Sequence, residues 1–207
     1  MDPTEKQELQ VDGIADSVAH TQRIIDEEIR RLHGRLEHVV LGGISQGGSI
    51  ALWTLIRHRQ LGLRLGGFVA TNTWLPFANN LKSVLSTEEN GSSRLTSKYI
   101  ENSSDSTNSS SAKFDPFIRE TIGLTDNKNT TLKTTAASLA SQIPVFMGHG
   151  IDDASVDIKL GREAQQVLSL AGFHVQWKEY VDADLNGHWF KIPEEMDDIY
   201  AFLSCLR

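Results

Sequence analysis

Short apolar runs alternate along the chain with longer amphipathic stretches, and this alternation predicts strands separated by helices. The runs lie at 38–41, 67–71, 143–148 and 173–177. The last of them alternates apolar with polar residues, as a strand with one wet face does. From Asp12 onward, Ile14, Val18, Ile25, Ile29 and Leu32 recur near one face of a first helix, which Gly34 can end. Ile50, Ala51, Trp53, Thr54 and Ile56 predict a second helix running to about Gln60. Val156, Leu160, Ala164, Val167 and Ala171 predict a third, stopped by Gly172. Met196, Ile199, Leu203 and Leu206 form the inner face of a last helix. Pro193 stands near its first position and Glu194 and Glu195 in its first turn, where acidic side chains suit the helix dipole. Strands alternating with helices at this spacing imply a mostly parallel sheet covered by helices on both faces. The polar residues 1–10 are expected to fray.

Residues 78–142 break the pattern. Ser, Thr and Asn dominate there, and 101–111 holds almost nothing else. Such a composition buries too little apolar surface to offset the entropy of ordering. The expectation is a long, largely flexible polar insertion, a lid or a surface loop. Within it, 114–118 can dock as a short segment and 132–140 can form a weak helix. The whole chain, 1–207, reads as one domain.

The 207 residues suffice for one substantial core, and 39% hydrophobic with 23% charged residues is ordinary for a soluble globular protein. A formal net charge of −7 argues against nucleic acid as a partner. No run approaches a membrane span, and the first residues lack the basic and apolar regions of a secretory signal. Cys205 is the single cysteine, so no internal disulfide forms and a reducing, cytoplasmic compartment is expected. Sequons at Asn90, Asn102, Asn108 and Asn129 are, in that setting, composition only.

The chemistry concentrates behind the first apolar run. Gly43-Ile44-Ser45-Gln46-Gly47 is a G-x-S-x-G between a predicted strand and a predicted helix, the setting of a nucleophile elbow. Small flanking residues allow a strained turn that lifts the hydroxyl above the sheet edge, and the helix N-terminus offers amides to a developing oxyanion. The plain alternative is a glycine-rich turn that happens to hold a serine. A serine hydroxyl needs a base, and the base needs a carboxylate. Asp152 and Asp153 follow the third predicted strand, and His188 lies beside Gly187 on the loop after the fourth. His149 competes as the base, but only His188 follows the acid in sequence and sits on a loop. Asp153 also reads as a helix N-cap. His149, Asp152, Asp153 and Asp157 carry metal-ligating groups, yet their spacing matches no metal pattern, and neither metal nor cofactor is expected. Trp74 and Phe77, on the loop after the second predicted strand, read either as core packing or as a pocket wall.

With these residues in view the chain resembles the acyl-protein thioesterase/carboxylesterase family of α/β-hydrolases, the phospholipase/carboxylesterase group. The matching stretches are residues 41–48 (LGGISQGG), 74–76 (WLP), 149–156 (HGIDDASV) and 187–189 (GHW). The resemblance spans most of the chain from about Val11 onward, apart from the insertion. It implies an α/β-hydrolase-type sheet and a serine hydrolase of carboxylic esters or thioesters, related to those that remove palmitoyl groups from protein cysteines. The family's acid box selects Asp153 over Asp152, and its late G-H loop makes His188 the base of Ser45. By the same resemblance, the backbone N–H of Gln46 is the oxyanion donor, and Trp74, Leu75 and Trp189 line an acyl slot. The implied partners are an acylated protein or a small acyl ester, with transient contact to a membrane surface. Family members open with further strands, one of which carries an H-G-x-G-D-like oxyanion loop; no such stretch stands here, so the expected fold is N-terminally truncated. The strand at 38–41 would then be an apolar edge open to dimerisation. A second reading follows: a relative that keeps the triad letters without turnover, acting as a fragment or an interaction module.

Overall fold

The computed structural model describes residues 6–61, 63–92 and 142–206. Helix α1 (Val11–Arg31) precedes strand β1 (Val40–Ile44). Then follow α2 (Ser45–Leu61), β2 (Gly67–Thr71), α3 (Ala78–Ser92), β3 (Val145–Gly150), α4 (Ile158–Leu170), β4 (Val175–Tyr180) and α5 (Glu194–Ser204). The four strands pair in chain order, β1-β2-β3-β4, all parallel. Each crossover carries a helix among the described residues, and right-handed crossovers in such an order stack their helices on one face.

Side-chain alternation along the strands divides the core. Phe68, Ala70, Val145 and Met147 face a large cluster with α1, α2, α3 and α4. Val69 and Phe146 face the other way, onto Ile199 and Phe202 of α5. Helices therefore cover both faces, unequally. Helix α2 is sandwiched: Ala51, Leu52, Trp53, Thr54, Leu55 and Ile56 are all buried in succession. Helix α1 lays Ile14, Val18 and Ile25 against it, the face that the periodicity predicts.

Several expectations need correction. Residues 7–10 form a 3-10 turn leading into α1, and residues 1–5 of the stretch expected to fray lie outside the described residues. His38 closes a 3-10 turn instead of opening a strand, and β1 begins at Val40. Strands β1, β3 and β4 each extend beyond their apolar run, because β1 continues through Gly42 and Gly43, β3 through His149 and Gly150, and β4 through Lys178 and Glu179, which carry no apolar signal. The segment read as a polar insertion starts with regular structure. Residues 78–92 are α3, fixed by Ala78, Leu81 and Leu85 at helical spacing, each at least 90% buried. The segments 101–111, 114–118 and 132–140 lie outside the described residues. Within the described sheet β1 is an outer strand, and Val40 at its start is exposed.

Candidate active site

Ser45 is the first residue of α2, directly after β1, with φ 54°. This left-handed backbone turns the chain abruptly from strand to helix and is strained for a residue with a Cβ. The close approaches that require glycine fall at Gly43 and Gly48. A Cβ on Gly43 would press on the backbone of Gly47 and Gly48, and one on Gly48 would meet the Thr73 hydroxyl at 2.6 Å. Gly47, the last letter of the pentapeptide, has open space where a Cβ would stand. The amide of Gln46 lies in the first turn of α2, where helix N–H groups have no intrahelical acceptor.

The carboxylate comes from the loop after β3. Asp153 is 8% exposed. Its Oδ1 accepts from the backbone amides of Ser155 (2.8 Å) and Val156 (2.9 Å), which fixes the carboxylate plane. The N-cap of α4 is Asp157, which accepts from the Lys159 amide, so Asp153 caps a turn rather than the helix. Asp152 is exposed and accepts from the Asp182 amide at 3.2 Å.

His188 comes from the loop after β4. Leu185, Asn186 and Gly187 are consecutively left-handed, a tight coil that delivers the imidazole. This loop lies flat on the acid loop: the Ala154 amide donates to the Asn186 carbonyl at 3.0 Å, and a Cβ on Gly187 would meet the backbone of Asp152 and Asp153 at 2.6 Å. Here the Gly187-His188 pair has its physical reason.

These three side chains meet. His188 Nδ1 stands 2.8 Å from Asp153 Oδ2, and His188 Nε2 stands 3.0 Å from Ser45 Oγ. An ionised carboxylate only accepts, so Nδ1–H donates to Asp153, and the neutral ring leaves Nε2 to accept the Ser45 hydroxyl proton. The competing histidine is elsewhere. His149 is 1% exposed, with Nε2 3.0 Å from the Val156 carbonyl and 3.6 Å from Asp153 Oδ2. Burial lowers its pKa, opposed by the Val156 carbonyl and by Asp153, and the neutral ring lies tilted over Trp177. Among the described residues, no three His, Cys, Asp or Glu side chains form a group able to hold a metal.

The residues expected to line an acyl slot separate. Trp189 is 40% exposed beside His188, packed edge-on against Phe190. Trp74 is half-buried. Leu75 is 3% exposed and packs within the core cluster. Phe77 packs edge-on against Trp53 in the core.

Two neighbours went unnoticed in the sequence. Asn72 is fully buried: its Oδ1 accepts from the Gly150 amide (2.8 Å) and its Nδ2 donates to the Trp189 carbonyl (3.0 Å). Thr73 Oγ1 donates to the carbonyl of Ser45 itself at 2.7 Å. Their only signal was polarity immediately after an apolar strand.

Residues 1–93 match the family model described as Phospholipase/Carboxylesterase. The acyl-protein thioesterase 1 of Gibberella zeae is 26% identical over 167 residues, spanning 81% of this chain and 47% of that protein. The chain thus spans about half the length of this curated relative. Among solved structures, acyl-protein thioesterase 2 of Zea mays superposes with a TM-score of 0.57 at 22% identity, over 93% of this chain and 64% of that one. Arabidopsis thaliana SOBER1 gives 0.57 at 21%, over 92% and 63%. These structures share the α/β fold described here.

Proposed function

We propose that this chain, which matches the phospholipase/carboxylesterase family model over residues 1–93, is a member of that family and a serine hydrolase of carboxylic esters or thioesters. The observation that carries the reading is the unbroken chain of contacts from Ser45 through His188 to Asp153. In the proposed reaction Ser45 Oγ attacks the acyl carbonyl while His188 Nε2 takes the hydroxyl proton. Asp153 holds the Nδ1–H tautomer and stabilises the imidazolium that forms. The Gln46 amide faces the oxyanion. Collapse of the tetrahedral intermediate breaks the bond to the leaving oxygen or sulfur, which takes the proton from Nε2. Water then attacks the acyl-serine with the same histidine as base, releasing the carboxylic acid and free Ser45.

Exposed Trp189 beside the base supports an apolar acyl group as the bound portion. The name of the fungal relative supports an acylated protein as the substrate, with small acyl esters as simpler ones, and the activity would be depalmitoylation where the acyl group is palmitoyl. A lone cysteine supports a reducing, cytoplasmic setting.

A fluorophosphonate probe tests the reading. It should label the folded chain at Ser45 and fail on Ser45→Ala. A folded preparation that resists labelling would end this proposal. A second reading is a triad without turnover, since lack of one oxyanion donor costs about 10²–10³ in rate. Labelling without measurable thioester hydrolysis would select that reading.

A further inference from the structure

Asn72 and Thr73 touch none of the atoms that would react, yet between them they are bonded to all three segments that carry the triad. Strand β2 ends at Thr71, and the next residue, Asn72, is left-handed with φ 46°. Asparagine tolerates this conformation better than most residues with a Cβ. The kink aims its fully buried amide between two backbones. Oδ1 accepts from Gly150, the last residue of β3 and three positions before Asp153. Nδ2 donates to the carbonyl of Trp189, the residue after His188. One planar amide thus takes a hydrogen bond from the acid's strand and gives one to the base's loop, across 78 and 117 residues of sequence. Its own N–H donates to Gly148, fixing its height on β3.

Thr73 does the same for the nucleophile. It is 1% exposed, and its hydroxyl donates to the Ser45 carbonyl at the strained elbow. Ser49 Oγ, one turn along α2, lies 3.3 Å from Thr73 Oγ1 and donates to the Trp74 carbonyl at 2.8 Å. Gly48 completes the fit, because a Cβ there would strike Thr73. A buried hydroxyl and a buried amide placed this way are costly unless satisfied, and here both are satisfied by the segments whose spacing matters.

We propose that Asn72 and Thr73 are positioning residues, a buried polar brace that sets the separation of Ser45 Oγ from His188 Nε2. The proposal rests on the hydrolase reading for its kinetic consequence but not for its structural one. Displacing a reacting group by about 1 Å costs on the order of 10²-fold in rate. The brace holds backbone on both sides of the 3.0 Å contact.

The test uses the full 207-residue chain. Asn72→Gly removes both amide bonds yet accepts the left-handed backbone, Thr73→Val removes the hydroxyl at constant shape, and Thr73→Ser retains it. Fluorophosphonate labelling of Ser45 is measured as a maximal rate and an apparent affinity, corrected for the folded fraction. Amide hydrogen exchange is followed over 183–190 and 43–49. The expected result is a maximal rate lower by about 10- to 100-fold for Asn72→Gly and Thr73→Val, with affinity within about twofold and the rate restored in Thr73→Ser. Exchange should quicken over 183–190 in Asn72→Gly and over 43–49 in Thr73→Val. Wild-type labelling rates in both folded variants would overturn the brace. If the wild-type chain is folded and unlabelled, the hydrolase reading fails alone: faster exchange confined to those segments then still supports the brace, and unchanged exchange overturns it.

Discussion

Asp153→Asn separates chemistry from folding more sharply than any other single change at this site. In the native loop Oδ1 accepts two backbone amides, at 2.8 and 2.9 Å, while Oδ2 faces His188 Nδ1 at 2.8 Å. An asparagine must keep its carbonyl oxygen toward the two amides, because its NH2 group there would oppose two N–H donors. The NH2 group is therefore forced toward His188. The imidazole then either turns its Nδ1 into an acceptor, which puts a proton on Nε2 and blocks it as a base, or keeps Nδ1–H against another donor. Keeping it costs about 1–3 kcal/mol for the unmade bond, and the lost charge-assisted bond to the imidazolium costs about 1.5–3 kcal/mol more. Together these predict a kcat/KM lower by about 10²- to 10⁴-fold, at about 1.36 kcal/mol per tenfold. Thermal stability should stay near wild type, because the Ser155 and Val156 amides keep their acceptor. Asp153→Ala, by contrast, strands both amides and confounds the two effects. The assay pairs hydrolysis of a chromogenic short-chain thioester with a thermal melt of each protein. A well-folded Asp153→Asn protein within tenfold of wild-type kcat/KM would refute the role given to the carboxylate.

Further predictions concern packing and pH. In Gly150→Ala the new methyl would collide with the Gly187 carbonyl next to the base; a stability loss of about 1–3 kcal/mol by denaturant titration should accompany slower probe labelling of the folded fraction. Glu195 is 1% exposed, with Oε1 unpartnered and Oε2 accepting the Lys191 amide. Burial, only partly offset by that amide and reinforced by Asp198, pushes its pKa up to about 7 from 4.5. The native state thus holds the proton longer than the unfolded chain, and stability falls as pH rises from about 4.5 to about 7. The melting advantage of Glu195→Gln should accordingly grow from pH 4 to pH 8. His58 works in the opposite sense: burial, then Arg57, brings its pKa down from 6.5 to about 4, so its stability contribution, full above 6.5, is lost as pH falls toward 4. The melting temperature of His58→Leu relative to wild type should rise as pH drops from 7 to 4; a pH-independent difference for either variant would contradict these assignments.

Element order was legible because four short apolar runs and four amphipathic stretches obey different periods. Strand ends were not, since β1 passes through Gly42 and Gly43 and β3 ends in His149 and Gly150, whose strand character comes from their neighbours. Helix α3 hid because its buried face is only Ala78, Leu81 and Leu85 amid polar residues. At the site, serine before acid before histidine could be read from chain order alone. Preferring Asp153 to Asp152 needed the family resemblance; the structure adds its reason, two backbone amides on one carboxylate oxygen. The motif letters misled at Gly47, which has room for a side chain, while the crowded position is Gly48 outside the pentapeptide. Asn72 and Thr73 carried no signal beyond their polarity, since partners 78, 117 and 28 residues away exist only in the fold.

Strand order gives the molecule a seam. Strands β1 and β2 with α2 form one local unit that owns Ser45, and β3 and β4 with α4 form another that owns both Asp153 and His188. Among the described residues only the β2–β3 ladder, running from Phe68 opposite Val145 to Thr71 opposite Gly148, stitches the two units within the sheet. A shear along that line would part nucleophile from base while leaving the acid–base couple whole. Disarming by slippage, with every ingredient still folded, is a failure mode peculiar to this layout.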